Sequence, residues 1–113
     1  MARFLAGHSR VERTYYPGLS DDSGHEIASR QMQGGYGGMV SFQVRGERQD
    51  AINVALRARV FKTATSLGGV ESLIEHRKTS ESDVTDTPEN LLRISLGIEN
   101  VDDLLSDIQQ MLS

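Results

Sequence analysis

Two residues of this chain have the types and setting to grip an anion. Ser66 ends a β-rich run just before Leu67-Gly68-Gly69, and Arg93 sits inside Leu91-Leu92-Arg93-Ile94-Ser95-Leu96. A guanidinium is a flat fork that matches the two oxygens of a carboxylate, and a neighbouring hydroxyl adds a donor, so together they could hold the carboxylate of a small acid. The same arginine could equally form an ion pair with a glutamate of its own domain. The Gly68-Gly69 pair is open to two readings as well. Glycine lets the main chain take angles that bring it close to a ligand, and it also makes ordinary turns.

Other chemistries are excluded or disfavoured. The chain has no cysteine, which removes disulfides, thiol catalysis and thiolate metal sites. His8, His25 and His76 lie far apart and match no zinc spacing. Gly34-Gly35-Tyr36-Gly37-Gly38 lacks the lysine and Ser/Thr of a phosphate loop and precedes a strand, so it reads as a turn. No histidine base with an orienting acid accompanies Ser66, which disfavours a hydrolase. With 12 basic and 16 acidic residues the formal charge is -4, which gives no footprint for nucleic acid. The apolar runs are too short to span a bilayer, and the first residues lack the apolar core of a signal peptide. The expectation is a soluble, cytoplasmic protein with no nucleic-acid or membrane partner.

These residues must be positioned by one domain, because 113 residues suffice for a single core and not for two. A composition 37% hydrophobic and 25% charged is that of an ordinary globular chain. Phe4-Leu5-Ala6 before Gly7 reads as the last turn of a helix, and 11–16 as a short strand ending at Pro17-Gly18. Ser23-Gly24-His25-Glu26 fits a capping box, with a helix through about Met32. Val40, Phe42 and Val44 alternate with Met39, Ser41 and Gln43 as in a half-buried strand.

The spacing of Ile52, Ala55, Leu56, Arg59 and Val60 predicts an amphipathic helix over 47–61, followed by a strand over 62–67. The glycine pair then leads into an apolar and acidic segment expected to make a short helical turn, and 77–87 reads as a solvated loop. In 91–96, Leu92, Ile94 and Leu96 alternate with Arg93 and Ser95, which puts Arg93 on the polar face of a strand. Asn100 caps a final helix with Asp102 and Asp103 in its first turn and Val101, Leu104, Leu105, Ile108, Met111 and Leu112 as its apolar stripe.

Taken in order, Tyr16-Pro17-Gly18-Leu19, His25, Gln31, Gly37-Gly38-Met39-Val40-Ser41-Phe42, the run from Ser66 to His76, and the run from Leu92 to Leu104 resemble the C-terminal part of one family. It is the Cys/Met metabolism, or transsulfuration, family of pyridoxal-phosphate-dependent enzymes, which includes cystathionine synthases and lyases, methionine lyase and homocysteine-forming sulfhydrylases. The resemblance spans nearly the whole chain.

It implies an α/β two-layer sandwich, the small C-terminal domain of the aspartate-aminotransferase-like fold, with a mainly antiparallel sheet and helices packed on it. It also implies that Arg93, with Ser66 and Leu67 beside it, grips the α-carboxylate of a sulfur amino acid such as cystathionine or an O-acyl-homoserine. The enzyme's cofactor is pyridoxal phosphate. Its lysine, phosphate loop, stacking aromatic and ring-nitrogen aspartate belong to the large domain, so none is expected to bind this chain alone. Lys62 and Lys78 do not stand in the cofactor-lysine motif, and the segment after His76 lacks the Pro-Ala-Ser-Met-Thr-His run of many members. The expected partners are the large domain and a second copy of the chain. The alternative is a stand-alone binding or oligomerisation module that kept the fold without the chemistry.

Overall fold

A computed structural model describes all 113 residues. Five helices and five strands follow one another as α1 (Ala2–Ala6), β1 (Val11–Tyr15), α2 (His25–Gln31), β2 (Met39–Val44), α3 (Arg48–Leu56), β3 (Lys62–Thr63), β4 (Leu73–His76), α4 (Arg77–Ser80), β5 (Leu91–Ser95) and α5 (Val101–Met111). The strands form one sheet in the order β1-β2-β5-β4-β3. Its first three pairings are antiparallel, and only the short edge pair β3/β4 is parallel.

The alternation in β2 and β5 sorts the two faces of the sheet. Val40 and Ile74 flank Ile94, and Phe42 faces Leu92, so these apolar residues share one side and are all buried. Against them pack Leu5 of α1, Val54 of α3 and the Leu104, Ile108 and Met111 stripe of α5 in a single core. Burying each large side chain contributes about 1.5–3 kcal/mol. On the opposite face the same register lines up Ser41, Arg93 and Glu75 across three adjacent strands. The pleat that builds the core therefore also delivers Arg93 to a polar surface.

The last helix begins as the sequence predicts. Asn100 Oδ1 accepts from the amides of Asp102 at 2.8 Å and Asp103 at 3.4 Å, and both aspartates occupy the first turn. Its stripe differs at two positions, because Val101 is exposed and the charged Asp107, in mid-helix, is buried among the apolar residues.

Several expectations are corrected. Ser23 does not cap α2: Gly24 is the N-cap, and Asp22 takes the amide of Gly24 on one oxygen and that of Tyr16 on the other. A carboxylate that ties two turns together displaces the local serine. Helix α3 stops at Leu56 rather than 61 because Asp107 captures the amides of Arg59, Val60 and Phe61, so those residues bond across the core instead of along a helix. Only Lys62 and Thr63 of the expected 62–67 strand are paired, and the chain then leaves the sheet.

The segment after the glycine pair is not a helical turn. It is β4, an interior strand paired on both sides, because cross-strand bonding to β3 and β5 overrides the local acidic pattern. The region 77–87 is exposed at Val84, but it opens with the single turn α4 and is tied down by side chains.

Candidate functional site

Arg93 projects from the polar face of β5 with its side chain 20% exposed. Its Nη2 lies 2.5 Å from Glu75 Oε1 and donates to the carbonyl of Thr65 at 2.8 Å. Nε and Nη1 donate no hydrogen bond within the chain. Both readings of Arg93 thus meet in one place, since it has an internal glutamate partner and still keeps donors free.

Glu75 is the centre of a larger network. Its side chain is 4% exposed, and Oε1 also accepts from Arg77 Nη1 at 2.5 Å, while Oε2 accepts from Ser80 Oγ at 3.2 Å. Arg77 continues to Glu81, to which Nε and Nη2 donate at 3.1 and 2.7 Å. The hydroxyl of Thr87 and the Arg77 guanidinium hold the Glu81 carboxyl down at about 2, far below the usual carboxylate range. Hydrogen bonds from Arg77 to Glu75 and then to Glu81 raise the Arg77 pKa in turn.

The glycine stretch of residues 64–72 arches over this end of the sheet and is pinned at several points. Thr65 is held by Arg93, and the amide of Gly68 donates to Ser95 Oγ at 2.9 Å. Gly68 has φ +75°, the left-handed region that glycine enters without a Cβ penalty. Farther along, Ser72 donates through both its amide and its hydroxyl to Glu99 at 2.7 Å, and Ser72 Oγ accepts from Gly97. These bonds, from the Ser72 amide first and its hydroxyl second, lower the Glu99 pKa. The amide of Ile98 donates to the Val70 carbonyl at 3.0 Å.

Ser66 and Leu67 occupy the exposed crest of this loop, immediately after the carbonyl that Arg93 holds. The Ser66 hydroxyl makes no hydrogen bond within the chain, and Leu67 is 56% exposed. Sequence reasoning missed Glu75 and Arg77. The signal was the Ile74/His76 alternation, which puts Glu75 opposite Arg93 once β4 is read as a strand.

Cavities of about 510, 410 and 240 Å3 lie elsewhere, along β1 and the following turn, beneath Tyr16 and Tyr36, and beside Asp107. None is lined by Arg93, Ser66 or a lysine. The chain's lysines are engaged outside any such cavity, Lys62 with Glu71 at 3.8 Å on the exposed edge and Lys78 with the Thr85 carbonyl at 2.7 Å. Neither lysine amine therefore faces one of these three cavities. No group of His, Cys, Asp or Glu is placed to hold a metal ion, and no helix is long and apolar enough to cross a membrane.

Comparison with known proteins agrees with the expected fold and family. The cystathionine gamma-synthase of Mycobacterium leprae is 49% identical over 119 aligned residues, covering 100% of this chain and 30% of that protein. The L-methionine gamma-lyase of Fusobacterium nucleatum subsp. polymorphum is 35% identical, covering 97% of this chain and 30% of that protein. Among solved structures, metB from Corynebacterium glutamicum superposes with a TM-score of 0.89 at 39% identity, over 98% of this chain and 30% of that one. The cystathionine gamma synthase of Xanthomonas oryzae pv. oryzae, in complex with aminoacrylate and cysteine, gives the same TM-score, identity and coverage. The chain thus spans about 30% of the length of the relatives it matches. With the model of the family "Cys/Met metabolism PLP-dependent enzyme" matching residues 1–113, the chain belongs to that family.

Proposed function

We propose that the chain is the C-terminal, substrate-carboxylate-binding domain of a transsulfuration enzyme. In this reading it acts on sulfur amino acids such as cystathionine or O-acyl-homoserine, by β- or γ-elimination or replacement. Arg93 takes the α-carboxylate, and Ser66 and Leu67 form the loop beside it. The observation that carries this is the half-used guanidinium: Arg93 is anchored through Nη2 alone, with Nε and Nη1 left to meet a carboxylate in a polar, partly desolvated setting.

The contribution of this chain is binding and orientation. Fixing the carboxylate at Arg93 fixes where the substrate Cα and its side chain lie, and holding a substrate in one geometry lowers the entropic part of a barrier. The carbanion-stabilising chemistry is supplied by the cofactor in the remainder of the enzyme. In the same reading, the chain alone has no turnover.

Titration of the 113-residue protein with L-methionine and L-cystathionine, followed by amide NMR, tests the assignment. The Ser66 and Gly68 amides are expected to shift saturably. Arg93→Ala removes charge-assisted hydrogen bonds of about 1.5–3 kcal/mol, so affinity should fall at least tenfold. Equal titrations of the two proteins would overturn the assignment.

A further inference from the structure

Resting on that reading, we propose that Arg77 is a positioning residue for the Arg93 clamp. By sharing Oε1 of Glu75 it keeps this glutamate from closing as a fork onto Arg93, and so leaves the outer donors of Arg93 available to the substrate carboxylate.

The geometry argues for this in three steps. An arginine beside a carboxylate tends toward two parallel N–H···O contacts, which would occupy an edge of the guanidinium. Here Arg93 contributes only Nη2, and the Glu75 oxygen it meets is equally close to Arg77 Nη1. Arg77 can exert this pull because its far side is fastened: Nε and Nη2 both donate to Glu81, one helical turn along the chain. The other Glu75 oxygen is occupied by Ser80 of the same turn. The turn α4 therefore contacts both oxygens of Glu75, through Arg77 and Ser80.

Charge acts in the same direction. Arg93, Arg77, Glu75 and Glu81 sum to zero, so an arriving carboxylate meets a neutral cluster. Without Arg77 the cluster already carries one negative charge, and Glu75, freed from its competitor, turns that charge onto Arg93. Loss of Arg77 would thus weaken the clamp through geometry and through repulsion.

The test has two arms on the 113-residue protein. In the first, without ligand, the 15N guanidinium resonances of Arg93 are compared between wild type, Arg77→Ala and Arg77→Lys. The alanine variant should shift the Arg93 Nε or Nη1 resonance and slow rotation about its Cζ–Nη bonds as Glu75 closes. The lysine variant keeps the charge but cannot reach both glutamates, so it should fall between the two.

In the second arm, L-methionine is titrated against L-methioninamide, which lacks the anionic carboxylate. Arg77→Ala should weaken methionine binding about five- to tenfold and leave methioninamide unchanged. Unaltered Arg93 resonances in both variants would overturn the inference, as would equal weakening for both ligands, which marks a merely structural role. A wild-type preference for methionine that survives Arg77→Ala removes only the role of Arg77. A wild type without that preference removes the carboxylate clamp itself and this inference with it.

Discussion

Asp107 shows how one side chain can set the limit of a distant element. It is 4% exposed inside the apolar face of α5, and it accepts from the amides of Arg59, Val60 and Phe61 at 3.0, 2.7 and 3.0 Å and from Gln110 Nε2 at 2.9 Å. Burial alone would raise its pKa, but the amides and Gln110 outweigh burial and hold it below the ordinary value. A folded pKa below the unfolded one gives stability that is present above the unfolded value of about 3.9 and lost as pH falls through the folded value. Asp107→Asn should therefore cost about 1–3 kcal/mol near neutrality. The gap from wild type should narrow below about pH 4, as wild-type Asp107 takes up its proton. Urea unfolding at pH 7 and pH 3 reads both quantities, and a gap independent of pH would count against the assignment. The sequence displayed the α5 stripe but not this role. A charged residue within an apolar period has no meaning until the three amides that surround it are brought in from 48 to 46 residues away.

Among the elements, β2, β5 and α5 were legible because each buries one face against a single layer, so the residue period reports the burial directly. Strand β4 was not. Its four residues include Glu75 and His76, which look solvated in the sequence and are buried in the fold because Arg93, Arg77 and Thr79 bond to them. Of the candidate site, the outward face of Arg93 could be read from alternation. Its partner Glu75 follows from the Ile74/His76 alternation only once 73–76 is taken as a strand paired with β5, and Arg77 lies in the turn that follows that strand.

The exit of β5 at Gly97 ties this strand to the glycine loop. A Cβ at Gly97 would run into the backbone carbonyl of Val70, and backbone cannot swing aside as a flexible side chain can. Gly97→Ala should destabilise the domain by about 1–3 kcal/mol. It should also displace residues 66–72, weakening methionine binding although Arg93 is untouched. Thermal unfolding and amide NMR check the two effects, and an unperturbed loop would show that the Val70–Gly97 contact is not what positions it.

At the scale of the whole molecule, the candidate site lies on a surface that the chain itself does not cover. Leu67, Val70, Ile98 and Val101 are all more than half exposed, and the Ile98 amide bonded to the Val70 carbonyl brings two of them side by side. An exposed aliphatic pair of this kind is open to contact with another body. A chain spanning about 30% of its relatives' length has such a body available in the proposed large domain. In isolation, the surface should instead meet a second copy. Sedimentation velocity is expected to show a weight-average coefficient that rises with protein concentration. Val70→Lys combined with Ile98→Lys should return it to the monomer value, because two desolvated ammonium groups oppose apolar contact. The substitutions leave the core intact, since both side chains already face solvent. Association that persists in the double variant would place the contact elsewhere on the molecule, while concentration-independent sedimentation of the wild type would show that this patch is too small to hold two copies together.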